Sequence, residues 1–162
     1  MEYNSKKEET TAQETSKKAA RLLARKEIGQ DGRFTAYDDA TVLDTRTNLM
    51  WAAKDNDNGS NINWQGAKSY CENYRGGGYT DWRMPTQDEL AGLYDANKAK
   101  KILKIFSPAI TDLINISTML WASQTRGSKA AAFNFFLGRE VWQPPYKDIL
   151  NGTGALPVRS GK

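Results

Sequence analysis

Histidine is absent from this chain of 162 residues, and cysteine occurs once. Without histidine, the chain lacks the commonest general base, the Ser-His and Cys-His nucleophile pairs and every histidine-ligated metal site. The single cysteine, Cys71, excludes an internal disulfide and a cysteine-rich zinc site. We therefore expect Cys71 to be a small buried apolar residue. We also expect a protein that is not an enzyme and that binds no metal and no cofactor.

Long apolar runs are missing as well. A membrane-spanning helix requires about 18 consecutive apolar residues, and no stretch approaches that length. Residues 1–11 are charged and contain no apolar core of a signal peptide. We therefore expect no membrane span, and two interpretations of location stay open: a cytosolic protein, or an exported one whose leader is absent from this sequence.

The composition, 39% hydrophobic and 26% charged, is typical of a globular protein, and the length suits one domain with a tail. Residues 1–30 are rich in Lys, Glu, Thr and Gln, which predicts a disordered or partly helical tether. The alternative for this segment is an oligomerisation helix. The folded domain is predicted at residues 31–162. A net charge of +4 suits an acidic partner but is ordinary in size.

Local patterns place the secondary structure. Asn63 can cap a helix that Gly76-Gly77-Gly78 ends, and Thr86 with Glu89 forms the capping-box pattern of a second helix. Both helices are amphipathic, so they are expected to pack on one sheet. The order of strands, helices and strands, without βαβ alternation, predicts an α+β fold with an antiparallel sheet. Short apolar runs bounded by turn residues predict strands over residues 33–37, 41–44, 49–52, 118–122, 131–136, 140–142 and 156–159.

A series of motifs is the most specific feature of the chain. The strongest is Thr80-Asp81-Trp82-Arg83-Met84-Pro85-Thr86 followed by Glu89-Leu90, and the others are Leu49-Met50-Trp51-Ala52, Asn63-Trp64-Gln65-Gly66-Ala67, Trp121-Ala122-Ser123 and Val158-Arg159. Over about residues 33–159, the series resembles the family named after the C-terminal domain of the Legionella collagen-like adhesin. The resemblance implies an α+β fold similar to the C-type lectins. It also implies a periplasmic, outer-surface or secreted location and a role in adhesion or ligand display.

Seven residues of these motifs are predicted to have structural roles: Trp51, Trp64, Asp81, Trp82, Arg83, Pro85 and Glu89. Trp82 is large enough to anchor the two helices to the sheet. Arg83 precedes the second helix, where a cation is unfavourable unless a carboxylate pairs with it. The candidate partners of Arg83 are Asp44, Asp81 and Glu89.

The acidic loop at residues 55–59 superficially resembles a run of calcium ligands. It fails the EF-hand pattern, because glycine follows too soon and no glutamate closes the loop. Sugar ligands of the Glu-Pro-Asn type are also missing. We expect an ordinary turn loop here rather than a calcium site.

Two groups of cations and aromatic residues are candidate ligand-binding sites. The first is the basic segment with Lys98, Lys100, Lys101 and Lys104, which can attract sulfated glycans or form a solvated face. The second surrounds the turn at Pro144-Pro145 and contains Arg126, Lys129, Arg139, Trp142, Tyr146 and Lys147. Flat rings stack on sugars while Arg and Lys hold anions, so a binding face and simple loop packing both fit the second group.

These observations favour a non-catalytic, extracytoplasmic binding or adhesion module. Its expected partner is a sulfated or acidic polysaccharide, or a protein, and nucleic acid is not expected. The related formylglycine-generating enzymes use cysteines that Cys71 alone cannot supply. The alternative is a structural or oligomerising subunit of an envelope assembly, and a homo-oligomer stays open.

Overall fold

The computed structural model describes residues 2–56, 62–96, 111–146 and 152–162. None of the helices in these ranges has an apolar stretch of the length that a membrane span requires. Three α-helices and nine strands occur in the described parts of the chain. In chain order they are α1 (Glu2–Ala24), β1 (Glu27–Asp31), β2 (Phe34–Tyr37), β3 (Thr41–Asp44), β4 (Leu49–Ala52), α2 (Trp64–Asn73), α3 (Gln87–Ala91), β5 (Met119–Arg126), β6 (Lys129–Asn134), β7 (Arg139–Gln143), β8 (Thr153–Gly154) and β9 (Val158–Ser160).

The strands form two sheets, where the sequence predicted one. The first has the order β1-β2-β3-β4-β9 and is antiparallel throughout. The second has the order β7-β6-β5-β8, with β5 and β8 parallel and the other pairs antiparallel. The α+β class is therefore confirmed and the single sheet is corrected. The alternation of apolar residues marks a strand but does not specify its neighbour, and β9 pairs with the distant β4 rather than with β5 to β7.

Both predicted helices contact the second sheet, α2 at β5 and α3 at β5, β6 and β7. Ala67 and Cys71 of α2 pack in one buried cluster with Trp121. Leu90 of α3 belongs to another, which also contains Trp51 of the first sheet and Leu120 of the second. This cluster forms the main core between the two sheets.

The predicted helix caps are confirmed. The Asn63 side chain accepts a hydrogen bond from the backbone N–H of Gly66. Thr86 and Glu89 form the reciprocal capping box of α3. Cys71 is fully buried, as expected, and burial raises the pKa of its thiol to about 12. The thiol is therefore neutral at physiological pH.

The segment assigned to a tether contains α1 and the start of the first sheet. Strand β1 begins at Glu27, so the last residues of segment 1–30 belong to the sheet. Residues 6–21 of α1 are all exposed. The helix meets the domain near its C-terminal end, where Arg21 donates to the carbonyl of Gly78 and Arg25 lies 3.9 Å from the ring centroid of Tyr37.

Candidate functional site

The Trp82 side chain joins α2 to the first sheet. It is 3% exposed and shares a cluster with Met50 of β4. Its ring centroid lies 4.9 Å from that of Tyr74, the residue that caps the end of α2, with the ring planes at 87°. Its indole N–H donates to the carbonyl of Gly76 over 3.1 Å. These contacts tie the end of α2 to the first sheet, whereas the prediction had Trp82 anchor both helices to one sheet.

Arg83 pairs with Glu89, one of its three predicted partners. Two of its guanidinium nitrogens donate to the Glu89 carboxylate over 2.9 and 2.7 Å. The same carboxylate accepts the backbone N–H of Thr86 over 2.9 Å. Burial by itself would raise the pKa of Glu89, but the hydrogen bonds from Arg83 and Thr86 and the charge of Arg83 outweigh it and lower the pKa. The cation near the start of α3 is thereby neutralised.

The other two carboxylates bind different arginines. Asp44 lies 2.8 Å from the Nε atom of Arg33. Asp81 accepts two hydrogen bonds from Arg159, over 2.7 and 3.0 Å. Arg159 is 3% exposed, and its guanidinium lies 3.9 Å from the ring centroid of Tyr79. The Asp81 carboxylate therefore neutralises a buried cation of β9.

The remaining signature residues also hold the domain together. Trp51 is 1% exposed in the core between the sheets. The indole of Trp64 donates to the carbonyl of Ala122 over 2.8 Å. The carbonyl of Pro85 accepts the backbone N–H of Ser123 over 2.8 Å. The contacts of all seven signature residues are thus architectural.

Arg126 and Trp142 are the predicted binding residues that the structure brings together. Arg126 ends β5, Trp142 lies on β7, and β6 runs between them. The guanidinium carbon of Arg126 lies 4.3 Å from the Trp142 ring centroid. The Cα partner of Trp142 on β6 is Ala131. Because Ala131 carries only a methyl group, the arginine side chain can cross the intervening strand and stack on the indole.

Lys129 adds a second cation beside this stack. It is the Cα partner of Arg126 across the β5–β6 turn, so the two side chains project from the same face of the sheet. Both residues are exposed, and among the described residues neither forms an ion pair. We call Arg126, Lys129 and Trp142 the cation–indole face.

Other members of the predicted group lie elsewhere. Arg139 is at the opposite end of β7, three positions before Trp142, so it projects from the other face of the sheet. Tyr146 is 74% exposed and follows β7. Five predicted lysines lie outside the described residues: Lys98, Lys100, Lys101, Lys104 and Lys147.

A second group of polar contacts lies at the start of the acidic loop, residues 55–59. Asp55 is 1% exposed, and its Oδ2 atom accepts hydrogen bonds from the backbone N–H and the hydroxyl of Ser117. Asn56 accepts the backbone N–H of Ala155 over 2.8 Å. No pattern in the sequence indicated that Ser117 would contact this loop, since 62 residues separate it from Asp55. In the described parts of the chain, no group of three or more His, Cys, Asp or Glu residues could hold a metal.

A known protein family matches most of this chain. The model of the Lcl C-terminal domain family matches residues 40–157, well over half of the chain. The chain therefore belongs to the Lcl C-terminal domain family, as its motifs predicted. No curated protein and no solved structure matches the chain.

Proposed function

We propose that the protein is a non-catalytic binding module that holds an anionic group of a polysaccharide at its cation–indole face. The observation that carries the proposal is the stack of the exposed Arg126 guanidinium 4.3 Å from the ring centroid of Trp142, which is partly buried against the main core. A stacked guanidinium is held in one orientation while its N–H edges stay available. This geometry suits bidentate hydrogen bonding to a sulfate or carboxylate.

The electrostatics of the face support the same ligand class. Lys129 adds a second positive charge next to Arg126, and the chain carries a net charge of +4. Among the described residues neither cation forms an ion pair with a carboxylate, so both charges can attract an incoming anion. The indole edge can in addition contact the apolar face of a sugar ring.

The absence of catalysis is part of the proposal and has its own support. The pKa values of Asp81 and Glu89 are both lowered, the first mainly by the hydrogen bond from Arg159 and the second, against burial, by its bonds from Arg83 and Thr86. Both groups are therefore held as carboxylates by arginines and are unsuited to act as general acids near neutral pH. The chain has no histidine to replace them.

We further propose that the domain is C-type-lectin-like and acts outside the cytoplasm. Membership of the Lcl C-terminal domain family and two helices on an α+β scaffold support the first part. The same membership supports the second part, because the resemblance to this family implies an exported location. Fractionation of cells that express the natural gene should recover the protein from the periplasm, the outer surface or the medium. Recovery from the cytosol would contradict this location.

Binding to dextran sulfate, with uncharged dextran as the matched ligand, tests the polysaccharide proposal. Wild-type protein should bind only the sulfated polymer, and binding should weaken as salt is raised. Arg126→Ala should weaken binding by about tenfold or more in isothermal titration calorimetry, because it removes a charge-assisted hydrogen-bonding group.

The control is Arg139→Ala, which removes the same charge from the opposite face of the sheet and should have a much smaller effect. Equal losses in the two variants would show that only net charge matters. No binding of wild-type protein at low salt would overturn the proposal.

Self-association through α1 is a second candidate function, favoured by the exposure of residues 6–21. Ala12, Ala19 and Leu23 follow one another at helical spacing, and Leu23 is 88% exposed. If α1 mediates self-association, sedimentation equilibrium should show that the wild-type chain is an oligomer and that the Leu23→Glu variant is a monomer. Thr10→Glu, on the other side of the helix, should leave it intact. A monomeric wild-type chain would rule out this candidate.

A further inference from the structure

Helix α1 leaves most of its surface uncovered. Its residues 6–21 are all exposed. Among the described residues, its hydrogen bonds to the rest of the chain come from Lys18 and Arg21, near its C-terminal end. A helix in a protein takes most of its stability from the packing of one face on a neighbour. A helix of 23 residues in this position therefore offers a face to a second molecule.

One side of α1 suits close helix packing. Its members have small or apolar groups and recur at helical spacing: Thr11, Ala12, Thr15, Ala19 and Leu23. Glu8 marks the N-terminal end of this side. The hydroxyls of Thr11 and Thr15 donate to backbone carbonyls one turn earlier in the helix. Because these donors are already paired, the side can be covered without leaving a hydroxyl unsatisfied. We call the five residues the α1 face.

The charges beside the α1 face distinguish between orientations of a partner helix. Glu14 and Lys18 lie one turn apart along the same edge of the face, and both are exposed. Among the described residues neither forms an ion pair. Lys18 donates one hydrogen bond to the carbonyl of Lys162 over 3.2 Å, and its ammonium has two further N–H groups. The edge thus carries one charge of each sign.

We infer that α1 pairs with α1 of a second copy of this chain, and that the two helices run antiparallel. The inference rests on self-association, the second candidate function above, and adds its geometry. In an antiparallel pair, like edges of the two helices meet. When Ala12 of one helix lies opposite Ala19 of the other, Glu14 of each copy lies beside Lys18 of the other copy.

A parallel pair lacks these ion pairs. Parallel helices bring opposite edges of their faces together. The edge with Glu14 and Lys18 would then meet Ser16 and Ala20, which carry no charge. Charge complementarity therefore favours the antiparallel pair.

Sedimentation equilibrium of the full chain tests the orientation. Glu14→Lys and Lys18→Glu should each raise the Kd of the dimer by about fivefold or more, because each turns two attractive contacts into repulsive ones. An equimolar mixture of the two variants should regain the wild-type Kd, since opposite charges again meet across the pair. Neither variant keeps both charges in one helix, so this recovery can come only from contact between copies. The matched control is Lys17→Glu, the same charge change on the outer side of α1, which should keep the wild-type Kd.

Disulfide trapping gives a second readout. With oxidised glutathione as the oxidant, a mixture of Ala12→Cys and Ala19→Cys chains should form the mixed disulfide, and each variant alone should form little dimer. Cys71 is fully buried and does not compete.

The outcomes separate the inference from the function on which it rests. A monomeric wild-type chain would overturn both. If the wild type dimerises but neither charge reversal raises the Kd, or the mixture does not recover, self-association stands and the antiparallel arrangement is wrong. Efficient disulfide formation between two Ala12→Cys chains would also contradict the antiparallel pair.

Discussion

Replacing Trp82 with alanine is expected to lower the free energy of unfolding by about 3–5 kcal/mol, as large-to-small substitutions of buried aromatic residues do. The indole is 3% exposed and packs on Met50 of β4 and on the ring of Tyr74 at the end of α2. Its removal leaves a cavity where α2 meets the first sheet. It also leaves the Gly76 carbonyl without its 3.1 Å hydrogen bond. Urea unfolding followed by circular dichroism measures the change.

Two matched variants test whether the loss of stability comes from the buried indole of Trp82. Tyr146→Ala removes an aromatic side chain that is 74% exposed and should change stability by less than about 0.5 kcal/mol. Trp82→Phe keeps an aromatic ring but loses the indole N–H, so its cost should lie between those of the other two variants. If Trp82→Ala cost no more than Tyr146→Ala, the anchoring role of Trp82 would be wrong.

Elements with local signals were predictable from the sequence. Strands β3 and β4 have the predicted bounds, because each is a short apolar run between turn residues. The two helix starts were found because Asn63 and the Thr86–Glu89 capping box act within a few residues of their own backbone.

Two strands without a local apolar signal, β1 and β8, were not predicted. β8 has two residues, Thr153 and Gly154, and exists because it pairs in parallel with Met119 and Leu120 of β5. β1 lies at the edge of its sheet and is polar, and neither of its faces is buried. Its first residues were therefore predicted to be part of the tether. The second sheet was missed for a related reason. The pattern of apolar residues shows which positions are buried, but the neighbour of each strand is determined by packing over the whole chain.

The candidate sites show how far a binding surface can be predicted from the sequence. Arg126 and Trp142 were predicted as members of one candidate binding group around the Pro144-Pro145 turn, and the structure places them in contact. Arg139 was included for the same reason but lies on the other face, since side chains alternate along β7. Residues 55–59 were predicted to be an ordinary turn. The burial of Asp55 became visible only when Ser117 was brought to it by folding.

Asp81→Ala is expected to destabilise the protein by about 2 kcal/mol, because it leaves the guanidinium of Arg159 buried without a carboxylate. Arg159 is 3% exposed and donates to Asp81 over 2.7 and 3.0 Å. Removal of one partner from a buried ion pair costs roughly 3–5 kcal/mol. The Asp81 side chain is 58% exposed, so water screens the pair and the expected cost is lower. Urea unfolding at neutral pH gives the value.

The pH dependence identifies the ion pair as the cause. The hydrogen bond from Arg159 outweighs burial and holds the pKa of Asp81 below its ordinary value of 3.8. A carboxyl group whose pKa is lowered by folding stabilises the protein above that ordinary value, and this contribution is lost as the pH falls below it. The gap in unfolding free energy between wild type and Asp81→Ala should therefore be full at neutral pH and shrink below about pH 4. Asp112→Ala, at an exposed carboxylate, should stay within about 0.5 kcal/mol of wild type throughout. A gap for Asp81→Ala that did not change with pH would assign the cost to lost packing instead of charge.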